Sequence, residues 1–179
     1  MRLDQEELLR LAGVGDRDAF HQLYLETERT IYGFILSILK NRHDAEEVLQ
    51  ETYLKIWISA QNYQPQGKPL AWMFTIARNL CYMKFRDRKY LADMGLDELM
   101  GEEPGEWCSA LEQISDAMVL KTALETLGEE ERQIVLLHAS VGLKHREIAE
   151  NLGMPLATVL SKYNRAMKKL KQYMENGKM

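Results

Sequence analysis

The sequence predicts an all-α protein made of two small helical domains, an N-terminal helical bundle and a C-terminal four-helix domain with a helix-turn-helix, joined by an acidic linker. Three observations predict it. Apolar residues recur at spacings of three and four along most of the chain, and no stretch alternates like a strand. Glycine and proline are few, 11 and 4 among 179 residues. The segment from Asp93 to Asp116 carries eight acidic residues and no Lys or Arg, and "GEEPGEW" within it is a turn-and-linker signal.

The elements follow in order. A short helix fits 4–12 and ends near "GVG". A second fits 17–40, with Asp16 placed to cap it. A third fits 44–59. A fourth fits 69–91, after the turn-rich "QNYQPQGKP". The linker spans 93–115 and, fully extended, reaches roughly 80 Å, more than the ~68 Å of two B-DNA turns. Four helices follow, near 116–127, 129–140, 144–151 and 155–175. The domains are therefore expected at 1–92 and 116–179.

Composition bounds the function. Hydrophobic content is 46% and charged content 28%, which is globular. The formal net charge is −4, so only local charge can support nucleic-acid binding. Cys81 and Cys108 form no CxxC pair, which fits a reducing compartment. The start "MRLDQEELLR" is charged throughout and does not read as a signal peptide, and "FILSIL" is too short to cross a bilayer. A cytoplasmic protein is expected. His21, His43, His138 and His145 form no metal pattern, and "HREIAE" lacks the second His of HExxH. No nucleophilic triad or Gly-rich phosphate loop occurs. No enzyme activity, metal or cofactor is expected.

In the N-terminal half, "DAEEVLQETYLKIW" places Ala45, Val48, Leu49, Thr52, Tyr53, Ile56 and Trp57 on one helical face. Glu46, Glu47, Gln50, Glu51 and Lys55 lie largely opposite, as a solvated back or a docking face. "WMFTIARNLCYMKFRDRKY" has two faces. Trp72, Ile76, Asn79, Leu80 and Met83 read as core. Phe74, Arg78, Tyr82, Phe85 and Lys89 fall within about 80° on the other side. Rings interleaved with cations suit single-stranded nucleic acid, whose bases stack on the rings while cations hold the backbone. Phe74 and one other ring are expected in the core, with Arg78, Tyr82 and Lys89 exposed. Cys81 is expected to pack near a helix face.

In the C-terminal half, "REIAENLGMPLATVL" has helix-turn-helix logic. Ala149 is small where two helices approach, Gly153 sits where the turn needs positive φ, and Pro155 suits the next helix's first turn. Val159 points back into the unit. Along 157–174, Val159, Leu160, Tyr163, Ala166, Met167, Leu170, Tyr173 and Met174 share an arc of about 140°, with Leu160 at its packed edge. The opposite side carries five Lys or Arg and no acid. Such a face suits phosphates, with Ser161, Asn164 and Arg165 able to reach base edges. Lys144 begins the preceding helix where a Ser or Thr would cap, an omission that costs about 1 kcal/mol. Gly142, a shifted start or fraying would accommodate it.

With both halves read, the chain resembles an extracytoplasmic-function (ECF) sigma factor of bacterial RNA polymerase, over nearly its whole length. "DAEEVLQETYLKIW" looks like that family's polymerase-docking helix. "PLAWMFTIARNLCYMKFR" looks like its −10 element helix. "LGEEERQIVLLHASVGLKHREIAENLGMPLATVLSKYNRAMKKL" looks like its −35 element domain. The chain departs from the family pattern at three places. "ATVLSKY" stands for "GTVKSRL", Met83 stands where the family often has an Asp after "ARN", and Leu127–Gly128 replaces "LP".

The resemblance implies core RNA polymerase, promoter DNA and an anti-sigma factor as partners. It implies that the first domain takes −10 non-template bases, with the loop "SAQNYQPQGK" forming part of a pocket, and that the second reads −35 duplex. Carried over by position, Glu47, Gln50, Glu51 and Lys55 are the polymerase candidates. Asn62, Tyr63, Arg78, Asn79, Tyr82 and Arg86 are the −10 candidates. Pro155, Thr158, Ser161, Lys162, Arg165 and Lys168 are the −35 candidates. Two other readings stand beside this one. A stand-alone helix-turn-helix regulator explains 142–174 but leaves the 72–90 stripe without a use. A protein-only adaptor would dock through 44–57 and never touch DNA.

Overall fold

The computed structural model describes residues 3–65, 67–94, 123–139 and 141–176. Every regular element among them is helical. The chain divides into two units, Met1–Pro104 and Gly105–Met179. The predicted linker from residue 95 onward, the first seven residues of the helix expected at 116–127, and Cys108 lie outside the described residues.

The first unit contains α1 (Gln5–Gly13), α2 (Arg17–Leu39), α3 (Arg42–Ser59), a 3-10 turn (Ala60–Asn62) and α4 (Pro69–Asp93). Each of the first three helices starts on a side-chain cap. Asp4 accepts the Glu7 amide at 2.8 Å, Asp16 accepts those of Asp18 and Ala19 at 3.0 Å, and Asn41 accepts that of Asp44 at 3.0 Å. Lys40, at φ 53°, ends α2 in a left-handed turn. Pro69 opens α4, where its missing N–H has no partner to lose.

Leu8, Leu9, Leu23, Ile31, Ile35, Ile38, Ile56, Met73 and Phe74 form the most buried part of this unit. Each large apolar side chain so buried is worth about 1.5–3 kcal/mol. One polar pair lies inside: the Tyr53 hydroxyl meets Thr27 Oγ1 at 2.7 Å, and Thr27 donates to the Leu23 carbonyl. On α3 the expected face is the packed one. Ala45, Val48, Thr52, Tyr53 and Ile56 are buried, with Leu49 and Trp57 half-buried.

The core face expected on α4 needs correction. Of Trp72, Ile76, Asn79, Leu80 and Met83, only Leu80 is buried; Asn79 and Met83 are exposed. The buried set is Met73, Phe74, Ala77, Leu80 and Cys81. The reason is that α4 packs on both α2 and α3, so its seam runs through Met73, Phe74, Ala77 and Cys81 and leaves Trp72 and Ile76 half-buried beside it.

The second unit contains α5 (Glu129–Ala139), α6 (His145–Leu152) and α7 (Leu156–Asn176), with a helical stretch at 123–125. Leu127, Val135 and Ala166 form a buried cluster against which Leu124, Tyr163 and Leu170 pack. Arg132 is buried and donates to the Leu124 and Leu127 carbonyls at 3.1 and 3.0 Å, tying the start of the unit to α5.

The helix-turn-helix forms as its residues require. Gly153 takes φ 63°, and the Met154 amide closes on the Ala149 carbonyl at 2.9 Å. Lys144 is the residue before α6, not its first. The missing Ser or Thr is offset by Glu147, whose carboxylate accepts the Lys144 amide at 2.7 Å, one half of a capping box.

Candidate nucleic-acid and partner interfaces

Three surfaces carry the candidate residues. The first is the outer face of α3. Glu47, Gln50, Glu51 and Lys55 are all exposed there. Between them stand two apolar side chains that the periodicity did not single out, Leu54 (60% exposed) and Ile58 (58%). Spaced by four, they form one ridge flanked by polar groups. Apolar side chains left exposed and adjacent on a helix suit a protein partner better than water or phosphate.

Glu47 is not free on that face. It pairs with Lys84 of α4 and, at 3.2 Å, with His43. The Lys84 hydrogen bond holds its carboxyl below the usual range. Beneath this pair lies the buried Asp44, only 1% exposed, which faces Lys84 at 3.6 Å and pairs with Arg88. The cluster ties α3 to α4 and turns Lys84 and Arg88 toward α3. Sequence reasoning missed Asp44 because an acid in a helix's first turn already has a role there.

The second surface is the solvent side of α4 with the loop before it. Asn79, Tyr82, Arg86, Lys89 and Tyr90 are exposed, and Arg78 is half-buried rather than exposed. The Arg78 guanidinium sits 5.0 Å from the Tyr82 ring centroid, and Arg86 follows four residues on. Rings and cations therefore share this face, but Phe74 is not among them: it packs edge-on to Phe34 at 4.6 Å. In the loop, Asn62 is exposed. Tyr63 is half-buried, its ring 5.0 Å from Trp72 and its hydroxyl donating to Glu6 at 3.1 Å.

The third surface is α7. Pro155 is exposed and stands just before the helix, accepting the Thr158 amide at 3.0 Å. Ser161, Arg165 and Lys168 are exposed; Thr158 and Lys162 are half-buried. Val159 is fully buried, as its position in the motif requires.

Leu160 needs correction: it is 41% exposed, not packed. The seam of α7 is the narrow row Val159, Tyr163, Ala166 and Leu170, which leaves Leu160, Met167 and Met174 wet. The basic side is partly neutralised from behind. Lys162 meets Glu130 at 2.6 Å, Lys169 meets Glu131 at 2.7 Å, and Arg165 lies 3.9 Å from Glu131. Burial works against the Glu131 charge, but Lys169, the Gly128 amide and Arg165 outweigh it and hold the carboxyl below its usual range. These two acids also escaped sequence reasoning, because their partners lie more than thirty residues away in the chain.

No group of three or more His, Cys, Asp or Glu able to hold a metal occurs among the described residues. No described helix is long and apolar enough to cross a membrane.

Comparison with known proteins covers both units. Residues 23–90 match the family Sigma-70 region 2, and residues 117–170 match Sigma-70, region 4. An ECF RNA polymerase sigma factor SigK from Mycobacterium sp. (strain KMS) is 26% identical over 94% of this chain and 89% of its own. The ECF RNA polymerase sigma factor SigE of Mycolicibacterium smegmatis is 33% identical over 80% of this chain and 57% of its own. Two solved structures share the fold. CnrH, in complex with the cytosolic domain of CnrY, superposes with a TM-score of 0.64 at 22% identity, covering 97% of this chain and 99% of that one. The sigma factor RpoE, in complex with the anti-sigma factor NepR from Bartonella quintana, gives 0.65 at 23% identity, covering 87% and 96%.

Proposed function

Since this chain belongs to the sigma-70 family as an ECF sigma factor of RNA polymerase, we propose a residue-level division of labour for its role in directing promoter-specific transcription initiation. The observation that carries it is the pairing, in one chain, of a ring-and-cation face on α4 with a basic helix-turn-helix face on α7. Neither face alone would distinguish a sigma factor from an ordinary regulator.

The domain at 1–92 docks core polymerase through the outer face of α3, using Gln50, Glu51 and Lys55 around Leu54 and Ile58. Glu47 contributes while holding Lys84. The same domain takes the opened −10 strand. Tyr82, backed by Arg78, offers a ring for stacking, Arg86 holds phosphate, and Asn62 and Asn79 read base edges. The domain at 116–179 reads −35 duplex. Ser161 and Arg165 reach into the major groove, while Lys162 and Lys168 hold phosphates and Pro155 and Thr158 set the helix start against the backbone. The acidic segment 93–115 connects the two domains. Its acid-only character suits a channel that otherwise holds a polyanion.

The protein works in the cytoplasm and carries no chemistry of its own, since polymerisation belongs to its partner. Two relatives of the same fold are solved with CnrY and with an anti-sigma factor, which supports an inhibitory protein partner here as well.

The test is to mix the chain with core polymerase and map transcript starts on genomic DNA. New starts that share −10 and −35 elements, together with co-elution, are expected. Neither new starts nor co-elution would sink the reading.

A further inference from the structure

The first helix has no part in the division of labour above, and it lies before the residues that match region 2. Yet α1 touches the loop that follows α3 at two separate points. At its start, one carboxylate oxygen of Glu6 accepts the Tyr63 hydroxyl at 3.1 Å and the Gly67 amide at 3.3 Å. At its end, Gly13 meets the backbone of the 3-10 turn. A Cβ at Gly13 would stand 2.7 Å from the Ala60 carbonyl oxygen and 3.2 Å from the Gln61 amide nitrogen, closer than van der Waals contact permits.

The two contacts bracket the exposed Asn62. Ala60 and Gln61 precede it and rest on Gly13, while Tyr63 follows it and is held by Glu6 and by the Trp72 ring. An open groove on the α1 side carries three acids, Asp4, Glu6 and Glu26, and no Lys or Arg among its lining residues. Its charge is wrong for a phosphodiester strand, so that side of the loop serves as backing.

We propose that Glu6 and Gly13 are positioning residues for promoter opening: α1 is a splint that fixes the backbone around Asn62, and so sets which −10 base the loop accepts. The inference rests on the reading that this loop takes a −10 base. Neither residue touches DNA. A splint of this kind acts by pre-organisation, because a reading group held loosely discriminates poorly between bases.

The test uses reconstituted holoenzyme transcribing from a promoter library randomised across the −10 element. Glu6→Ala and Gly13→Ala flatten the base preference at one −10 position by about tenfold, the size of one lost base contact. Affinity for core polymerase stays as in the parent for both, and the melting temperature does so for Glu6→Ala, whereas the clash of Gly13→Ala with the Ala60 carbonyl costs about 1–3 kcal/mol of stability. Glu6→Gln keeps the preference, because a carboxamide oxygen accepts the same two hydrogen bonds. Asn62→Ala is run beside them. If Asn62→Ala flattens the preference and Glu6→Ala does not, the splint is overturned while the loop reading stands. If Asn62→Ala changes nothing, the loop reading fails and the splint falls with it. If Glu6→Ala lowers melting temperature and core affinity in step with base preference, its role is merely structural, and the proposal is overturned.

Discussion

Lys162 Nζ lies 2.6 Å from Glu130 Oε2, so a cation proposed to hold −35 phosphate is already paired within its own unit. Duplex binding must exchange one partner for the other. Removing the internal partner makes the exchange unnecessary. Glu130→Gln is expected to tighten holoenzyme binding to promoter duplex by about fivefold, the worth of one exposed ion pair. Fluorescence anisotropy at fixed salt measures it, and weaker binding would contradict the assignment of Lys162.

Leu54 and Ile58 stand largely exposed on α3. Changing either to Lys leaves stability within about 0.5 kcal/mol, as surface substitutions do. Affinity for core polymerase falls by tenfold or more, about the 1.4 kcal/mol expected of a desolvated anchor. A pull-down titration with core enzyme, with urea melts as the control, separates the two effects.

Asp44 is buried between two cations that keep partial contact with water. Asp44→Ala leaves Lys84 and Arg88 without their common partner and costs about 2 kcal/mol. Urea unfolding followed by tryptophan fluorescence reports it, since Trp57 and Trp72 both lie in this unit. A shift in midpoint too small to register would argue that the pair is idle.

His145 stacks on His138 at 4.7 Å and meets the Tyr163 ring edge at 4.5 Å. Burial first, and the neighbouring His138 second, hold its pKa below the ordinary histidine value. A base whose pKa is lowered by folding binds its proton more readily when unfolded. Its contribution to stability is therefore complete above about pH 6.5 and is lost as pH falls below that. The helix-turn-helix unit is expected to loosen in mild acid. His145→Phe, which keeps a ring against Tyr163, flattens that dependence. Amide resonances of the unit followed from pH 7.5 to 5.5 provide the readout.

How much of this was legible in the sequence depended on how far each cause lay along the chain. The face of α3 was readable because its apolar residues lie on one side and meet the core along one arc. The turn at Gly153 was readable because positive φ is a local demand. The face of α4 misled, since that helix packs on two neighbours and carries apolar groups nearly all round. Leu160 misled for a related reason: an arc drawn from residue type was wider than the seam its neighbours cover. The burial of Asp44, the pairing of Lys162 and Lys169, and the grip of Glu6 on Tyr63 join residues 32 to 57 positions apart. No periodicity reports such distances.

The acids behind the α7 face bear on how the genome is searched. Glu130 and Glu131 compete with phosphate for the cations that would give a lone chain its nonspecific hold on DNA, and the chain as a whole is acidic. A copy without polymerase is therefore expected to hold nonspecific DNA weakly, so that the search along the chromosome falls to the enzyme it has joined.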